Sequence, residues 1–225
     1  TPTRTADILF RFLKHEIGVA HVEIMDLDEE RFRRGEWVVR LHMSAVTPFE
    51  TTYMQSAKAL FTGQDDVAAK EEISAYLREE IDTHAQTLFL LGPGTTVEGV
   101  GRVLGVDKTL LGIDAVAGGR LVGKDVNERQ ILSLLDRYRD CKLVLSPIGA
   151  QGFVLGRGNL PLSPAIIRRI GLDNITLIAT SAKLVRTPFL RFDTGDSTLD
   201  MELASRKFLP VVIGYRRTRL VKVVG

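Results

Sequence analysis

The amino-acid sequence predicts an α/β protein with a mainly parallel sheet, flanking helices and a β-rich C-terminal segment. From residue 87 onward, short apolar runs alternate with segments of helical periodicity. The apolar runs contain few polar residues, which is typical of strands that are covered on both faces in a parallel sheet. After residue 185 strand-like runs dominate the pattern. We therefore divide the chain into an N-terminal α/β segment, 1–84, and a larger α/β domain with a β-rich tail, 85–225.

The N-terminal segment is predicted to begin with a helix and to end with a longer one. Apolar residues at helical spacing predict the first helix, and Ile73, Leu77 and Ile81 form the apolar stripe of the last. Two strand-like runs lie between them, and Pro48 closes the second because proline cannot donate to a strand ladder. The predicted elements are helices over 5–18 and 64–82 and strands over 21–28 and 36–46.

Four strands and three helices are predicted to alternate in the second region before the tail. Gly105 ends the first helix. Asp125 caps the second, and Glu128 completes a start that resembles a capping box. Ser163 caps the third, with Pro164 in its first turn. The predicted strands cover 87–92, 109–116, 142–147 and 175–180, the helices cover 95–105, 125–140 and 162–171, and the tail adds strand-like runs at 189–195, 207–218 and 219–225.

Composition argues against several classes of protein. The 225 residues are 44% hydrophobic, which is enough for a substantial core. The 30 basic and 28 acidic residues balance to +2, so charge does not favour nucleic acid or a membrane surface. The lone Cys141 excludes an intrachain disulfide and is predicted to be a buried structural thiol. No apolar stretch approaches the ~20 residues of a membrane span. We expect a cytoplasmic protein that forms a homo-oligomer.

A glycine-rich turn follows the first predicted strand of the second region. The sequence GPGTT, residues 92–96, leads directly into a helix. Free backbone N–H groups and the positive end of the helix dipole favour a phosphate at such a turn. We predict that Gly92, Gly94, Thr95 and Thr96 bind a ligand. The alternative is a tight strand-to-helix turn in which Thr96 is only the N-cap.

The charged residues that follow the second predicted strand are weak candidates for catalysis. Asp114 lies near the strand end, and Lys124 and Asp125 follow a glycine-rich connection. A carboxylate and an ammonium beside a phosphate site can activate a hydroxyl and neutralise developing charge. The alternative is a structural role for Asp114 and a helix cap for Asp125. No metal site is predicted, because the four histidines show no metal-ligand spacing.

A second glycine-rich stretch, residues 148–159, follows the third predicted strand. Glycine allows a close backbone approach and positive φ, and Arg157 can pair bidentately with phosphate. Gln151 and Asn159 can bind a base or ribose edge. The alternative is a glycine-rich hairpin or Ω-loop with a surface arginine. The predicted ligand-binding residues are Gly149, Gln151, Gly152, Gly156, Arg157, Gly158 and Asn159.

Polar or glycine-rich loops thus follow four consecutive predicted strands. Ser181 and Lys183 follow the fourth. In an open parallel sheet, ligands bind beyond the carboxyl ends of the strands. This placement indicates an anionic ligand, either a nucleotide or another phosphorylated small molecule.

Several stretches carry a family resemblance: VEIMDLDEERFRRG, YMQSAK, LLGPGTTVEGVGRVLGVDKTLLGIDAV, KDVNE and, most specifically, SPIGAQGFVLGRGNLPLSPAIIRRIG. Together they resemble the C-terminal part of the ATP-NAD kinase-like family, in the branch that includes the acetoin-catabolism X proteins. The resemblance spans roughly residues 20–223. It implies a kinase that phosphorylates the ribose 2′-hydroxyl of NAD to give NADP, with ATP or polyphosphate as donor and Mg²⁺ as metal. The glycine-rich loops are then implied to bind the nucleotide.

One motif of that family is absent from this sequence. The family chemistry depends on a GGDG motif in a preceding domain, and the nearest string here is LGPGTT, with Pro93 where the aspartate is needed. The catalytic base is therefore unknown, and we expect either a fragment without its upstream domain or a protein that does not perform the family chemistry alone. Two alternatives stay open: a non-catalytic module that binds a phosphorylated ligand or oligomerises, and a sugar-phosphate isomerase-like enzyme with Asp114 as acid or base.

Overall fold

The computed structural model describes residues 9–27, 39–49, 63–148, 151–156 and 158–224. The chain divides into two compact units, Thr1–Ala59 and Leu60–Gly225. The helix that was predicted over 64–82 belongs to the second unit, whereas the domain boundary at residues 84 and 85 stays a prediction.

The first unit contains a helical segment at residues 9–13 and two antiparallel strands. Strand β1 is Gly18–Leu27 and strand β2 is Val39–Phe49. Both strands were predicted, and β2 ends one residue beyond Pro48.

The second unit contains six helices and nine strands in the part of the chain that the structure describes. The helices are α1 (Gly63–Thr83), α2 (Thr95–Leu104), α3 (Glu128–Arg137), α4 (Pro164–Ile170), α5 (Ser181–Arg186) and α6 (Ser197–Ser205). The strands are β3 (Leu88–Leu91), β4 (Asp114–Ala117), β5 (Arg120–Gly123), β6 (Cys141–Leu145), β7 (Phe153–Leu155), β8 (Ile175–Ile178), β9 (Phe189–Phe192), β10 (Phe208–Gly214) and β11 (Arg217–Val223).

These nine strands form one mixed sheet in the order β5-β4-β3-β6-β8-β10-β11-β9-β7. Its centre is parallel, because β3, β6, β8 and β10 run in the same direction. Strand β11 is antiparallel to β10, and β9 and β7 are parallel to β11. The predicted fold class is confirmed: an α/β fold with a mainly parallel sheet and a β-rich C-terminal segment.

Helices cover both faces of the parallel strands, so each strand presents apolar side chains in two directions. One core layer joins α1 and α2 to the sheet through residues such as Ile73, Val97 and Val144. The other layer packs the four helices α3, α4, α5 and α6 against the opposite face of the sheet. Leu145 is among its fully buried members. Leu143 and Leu145 of β6 thus enter one layer and Val144 the other, which explains why the run 143–145 is apolar.

The strand predicted over 109–116 is shorter and runs in the other direction. Strand β4 is antiparallel to β3 and forms a hairpin with β5, a strand that sequence analysis placed in a loop. The two residues between them, Gly118 and Gly119, both have positive φ, 55° and 70°. A two-residue turn of this kind suits the twist of a hairpin and strongly favours glycine. The predicted uninterrupted β-α-β order was therefore wrong at this point.

The predicted cap of α3 was also wrong. Asn127, not Asp125, is the N-cap, and its side chain accepts a hydrogen bond from the backbone of Gln130 at 3.0 Å. The Gln130 side chain accepts one in return from the backbone N–H of Asn127 at 2.9 Å. Asp125 lies two residues earlier in a left-handed conformation, with φ of 47°. Because both residues are short and polar, local sequence did not distinguish which one caps the helix.

Replacing Asn127 with alanine is expected to lower the free energy of unfolding by about 1 kcal/mol, because one orphan N–H loses its partner. Urea unfolding measures this change. The control is Asp125→Asn, which keeps a residue tolerant of left-handed geometry and should change stability much less. A larger loss in the control than in Asn127→Ala would contradict this capping arrangement.

Two further elements lie where no helix or strand was predicted. Strand β7 interrupts the glycine-rich stretch 148–159, and α6 lies between the predicted strand-like runs 189–195 and 207–218. Asp196 caps α6 by accepting hydrogen bonds from the backbone of Thr198 and Leu199. Ser163 precedes α4 as predicted, but its hydroxyl makes no capping hydrogen bond.

Candidate functional site

The carboxyl ends of β3, β6 and β8 meet at one edge of the sheet. The strands are parallel neighbours, with Leu91 opposite Val144 and Leu145 opposite Leu177. The chain leaves this edge through three polar segments, which begin at Gly92, Ser146 and Ala179. This is the position at which ligands bind in open parallel sheets. The sequence prediction placed the site at this edge.

The glycine-rich turn after β3 connects directly to α2. Gly92 extends the ladder, since its N–H donates to the Val144 carbonyl at 2.9 Å. Gly94 is the N-cap of α2, with φ of 110° and no side-chain capping bond, so the alternative assignment of Thr96 as N-cap was wrong. A Cβ on Gly94 would meet no atom within 4 Å, so there is open space beside this residue. Thr95 is exposed there, whereas Thr96 is buried.

Helix α1 runs beside α2 in the same direction. A Cβ on Gly99 would lie 2.9 Å from the hydroxyl of Ser74. One turn further along both helices, Arg78 donates a hydrogen bond to the carbonyl oxygen of Val103. Lys70 lies on α1 one turn before Ser74, and its side chain pairs with Asp66.

A cluster of polar side chains lies beyond β6 and β8 at the same edge. Lys183 Nζ donates to Ser146 Oγ at 2.8 Å. Thr180 Oγ1 donates to Asp66 Oδ1 at 2.5 Å, and the other carboxylate oxygen pairs with Lys70 at 2.8 Å. These five side chains, Asp66, Lys70, Ser146, Thr180 and Lys183, are called the edge cluster below. A cavity of about 270 Å³ lies beside the cluster and is lined in part by Asp66, Thr180 and Ser181.

Two ionisable groups in the edge cluster have shifted pKa values. Burial, and to a smaller extent the nearby charge of Lys70, lower the pKa of Lys183 to about 8, while Asp66 acts in the opposite direction. Burial alone would raise the pKa of Asp66, but hydrogen bonds from Lys70 and Thr180 hold that pKa below its ordinary value. Asp66 is thus stabilised as a carboxylate, whereas Lys183 loses its proton more easily than an exposed lysine.

Asp114 is fully buried at the start of β4. Because β4 is antiparallel to β3, this start lies at the same edge of the sheet as the carboxyl end of β3. Its Oδ2 accepts hydrogen bonds from the backbone and the hydroxyl of Thr109, at 2.8 and 2.7 Å, and lies 3.3 Å from Lys108 Nζ. Its Oδ1 accepts a hydrogen bond from the backbone of Asp125 at 2.8 Å. These contacts hold two loops together, which is the structural role that sequence analysis kept open for Asp114.

The other two candidates for catalysis lie on the surface. Lys124 forms an exposed ion pair with Asp107. That hydrogen bond raises the pKa of Lys124, so this lysine stays charged. Asp125 is exposed and follows Lys124 in the connection to α3.

Strand β7 divides the second glycine-rich stretch into two loops. Gln151 is exposed in the first loop, and Gly152 packs tightly there, since a Cβ on Gly152 would lie 2.1 Å from the carbonyl oxygen of Phe189. In the second loop, Asn159 is buried, accepts a hydrogen bond from Gly156 at 2.9 Å and donates one to Val154 at 2.8 Å. The Asn159 amide thus stabilises its own loop. Gly149 and Arg157 lie outside the residues that the structure describes.

The direction of the strands separates these two loops. Gln151 and Gly152 lie on the segment that leaves β6 at the edge already described. Strand β7 runs opposite to β3, β6 and β8, so Gly156 and Gly158 leave it in the opposite direction. The predicted ligand-binding residues therefore fall into two groups, and only the first shares the carboxyl edge of β3, β6 and β8.

One comparison with known proteins identifies the family. The ATP-NAD kinase C-terminal domain matches residues 86–223, more than half of the chain. The chain belongs to this family. Searches among curated proteins and among solved structures found no match. The part that matches the ATP-NAD kinase domain contains Gly94, Ser146 and Lys183, whereas Asp66 and Lys70 precede it.

Membership of the ATP-NAD kinase family implies NAD and ATP as substrates at the level of the family. Magnesium is a separate question. In the described ranges, no three His, Cys, Asp or Glu side chains form a group that could hold a metal ion. Asp66 and Asp114 already have partners on both carboxylate oxygens. The described residues therefore offer no ready set of metal ligands, and no step through a metal follows from them.

Sequence reasoning missed four members of the edge cluster: Asp66, Lys70, Ser146 and Thr180. Asp66 and Lys70 are four residues apart on α1 and read as an ordinary solvated pair. Ser146 ends an apolar strand, and no local signal marks it as the partner of Lys183. By contrast, the prediction for Cys141 is confirmed, since the thiol is buried and burial raises its pKa to about 12. Among the residues that the structure describes, no helix is long and apolar enough for a membrane span.

Proposed function

We propose that this chain is the ligand-binding C-terminal part of an NAD kinase-like phosphotransferase, which converts NAD to NADP. The observation that carries the proposal is the family match over residues 86–223, which includes the open glycine-rich turn in front of α2. A phosphate of the dinucleotide or of the donor binds at this turn. ATP or polyphosphate is the proposed donor.

The geometry of the turn supports phosphate binding in three ways. The first N–H groups of α2 have no side-chain cap to satisfy them, because Gly94 is the N-cap. The space beside Gly94, where a side chain would stand, is open. Lys70 lies on α1, the helix that packs beside α2, and is proposed to add a positive charge to that of the helix dipole. Gln151 and Gly152 are proposed as further contacts, since their loop leaves the same edge.

The remaining predicted ligand contacts are Gly92, Thr95, Thr96, Gly149, Gly156, Arg157, Gly158 and Asn159, and they stay predictions. No described residue is proposed as catalytic base. The predicted homo-oligomer and the cytoplasmic location also stay predictions.

The first test is isothermal titration with NAD, NADP, ATP, tripolyphosphate and a set of sugar phosphates, each with and without Mg²⁺. We expect NAD or NADP to bind and sugar phosphates not to bind. The decisive variant is Thr95→Asp, which places a carboxylate at the start of α2. This charge suits the helix dipole and preserves the fold, but it repels a phosphate. We expect roughly tenfold weaker binding or more, by the magnitude of a charged hydrogen bond.

The matched control is Thr198→Asp, which adds the same charge in the first turn of α6. Thr198 is exposed, as Thr95 is. Equal losses in the two variants would show a general charge effect and would remove the α2 turn from the proposed site. Absence of binding by NAD, NADP and ATP at millimolar concentration would contradict the proposed function.

A second candidate function is a module that binds the phosphorylated ligand without turning it over. It is favoured by the absence of a GGDG motif from this sequence and by the hydrogen bonds that occupy both oxygens of Asp114. Chromatographic detection of NADP formed from NAD, ATP and Mg²⁺ distinguishes the two candidate functions, because a binding module forms no NADP. The isomerase-like alternative required Asp114 as acid or base, and no observation favours it.

A further inference from the structure

Lys183, which is partly buried, differs in its partner from the buried Lys108. The ammonium of Lys108 is buried against the carboxylate of Asp114. The amine of Lys183 instead donates to a hydroxyl, that of Ser146. Within the part of the chain that the structure describes, no carboxylate lies within ion-pair distance of Lys183. Buried cations normally have an anionic partner, so this position favours an anion that arrives as a ligand.

The charged groups of the edge cluster and its neighbours also favour an anionic ligand. Helix α1 contributes Lys70 and Asp66, and Asp66 is already shared between Lys70 and Thr180. Helix α5 itself contributes Arg186, whose charge acts on Asp66. Strand β6 contributes only the neutral hydroxyl of Ser146. The cavity beside the cluster adds Arg217 and Glu72, which pair with each other. Four cations therefore accompany two carboxylates, and the balance is positive.

We propose that Lys183 binds a phosphate group of the ligand together with Ser146 and Lys70, an inference that rests on the proposed function. Lys183 takes up a proton when the phosphate binds. Ser146 follows β6, accepts the hydrogen bond of Lys183 and can donate its own hydroxyl proton to a phosphate oxygen. The ligand class is a phosphate ester or a condensed phosphate.

The coupling to a proton follows from the physical state of Lys183 before binding. Burial and then the charge of Lys70 lower its pKa to about 8. A phosphate supplies the missing negative charge, so the pKa rises in the complex. By linkage, binding takes up a proton where the free amine is partly neutral, approaching about half a proton at pH 8. The affinity therefore falls as the pH rises through this range.

The experiment measures binding heat and proton uptake together. Tripolyphosphate and NADP are each titrated into the protein at pH 8 in two buffers that differ in ionisation enthalpy. The variants are Lys183→Met, which removes the charge, and Lys183→Arg, which keeps a cation that stays protonated. The control is Lys142→Met at the amino end of β6, where Lys142 pairs with Glu80.

We expect Lys183→Met to bind tripolyphosphate roughly 10- to 100-fold more weakly, as for loss of a charged hydrogen bond. Lys183→Arg should bind it without proton uptake, and Lys142→Met should behave as the wild type. If Lys183→Met does not fold, the proton uptake of the wild type and of Lys183→Arg decides the question.

The outcomes separate this inference from the proposed function. Tripolyphosphate binding that depends on Lys183, without NADP binding, would support the phosphate site and reject the dinucleotide function. NADP binding with unchanged affinity in Lys183→Met, or with no proton uptake, would overturn the role of Lys183 and leave the function intact. Absence of binding by both ligands would overturn both.

Discussion

Replacing Asp114 with asparagine is expected to lower the free energy of unfolding by about 3–5 kcal/mol, because it leaves the buried ammonium of Lys108 without its counter-charge. The carboxylate is fully buried and also accepts hydrogen bonds from Thr109 and from the backbone of Asp125. An asparagine keeps the shape, but its NH₂ group cannot accept a hydrogen bond. Chemical unfolding in urea, followed by circular dichroism, measures the loss.

A double-mutant cycle separates the charge from the shape. Lys108→Met combined with Asp114→Asn removes both charges, so the double variant should be more stable than Asp114→Asn alone. The exposed pair of Lys124 and Asp107 provides the control, and Lys124→Gln should change stability little. If Asp114→Asn were as stable as the wild type, the role of this carboxylate in holding the loops would be wrong.

Replacing Gly156 with alanine is the second substitution with a large expected effect. Gly156 has φ of 100°, and a Cβ there would lie 1.8 Å from the carbonyl oxygen of Asp193. The left-handed backbone costs an L-residue about 1–3 kcal/mol. Displacing a packed backbone adds a similar amount, about 1–3 kcal/mol. We expect thermal unfolding to show a loss that corresponds to the sum, because β7 must move away from β9.

Gly195 offers a matched control for Gly156. It also has a positive φ, 84°, but a Cβ there would meet no atom within 4 Å. Gly195→Ala should therefore show only the backbone cost, about 1–2 kcal/mol. The difference between the two variants measures the close approach of β7 to β9. Equal losses would indicate that β7 and β9 are not packed as closely as the structure shows.

Local features of the fold were predictable where one turn or one strand contains the whole signal. The apolar stripe of Ile73, Leu77 and Ile81 predicted α1, and all three side chains are buried. Gly105 ends α2 with φ of 70°, as its position at the end of the apolar pattern indicated. The GPGTT turn was placed correctly between β3 and α2. Each of these signals depends on residues that are neighbours in sequence.

The direction of β4 was not predictable in the same way. An apolar run enters a sheet equally well in either direction, and only the hairpin with β5 through Gly118 and Gly119 decided it. Asp114 was predicted near the end of a strand over 109–116, whereas it is the first residue of β4 in the structure. Its partners Lys108, Thr109 and Asp125 come from loops on either side of the hairpin, so no spacing in the sequence revealed them.

The sequence by itself determined the class of fold, the ends of several helices, the polar character of the loops at the carboxyl edge and the resemblance to the ATP-NAD kinase family. Only the tertiary structure decided which polar residues meet. Asp66 and Lys70 come close to Thr180 and Lys183 because α1 packs on the sheet near the carboxyl ends of β6 and β8. The physical reason is that backbone propensities act within a few residues, whereas the neighbours of a buried charge are fixed by strand order and helix register across the whole domain.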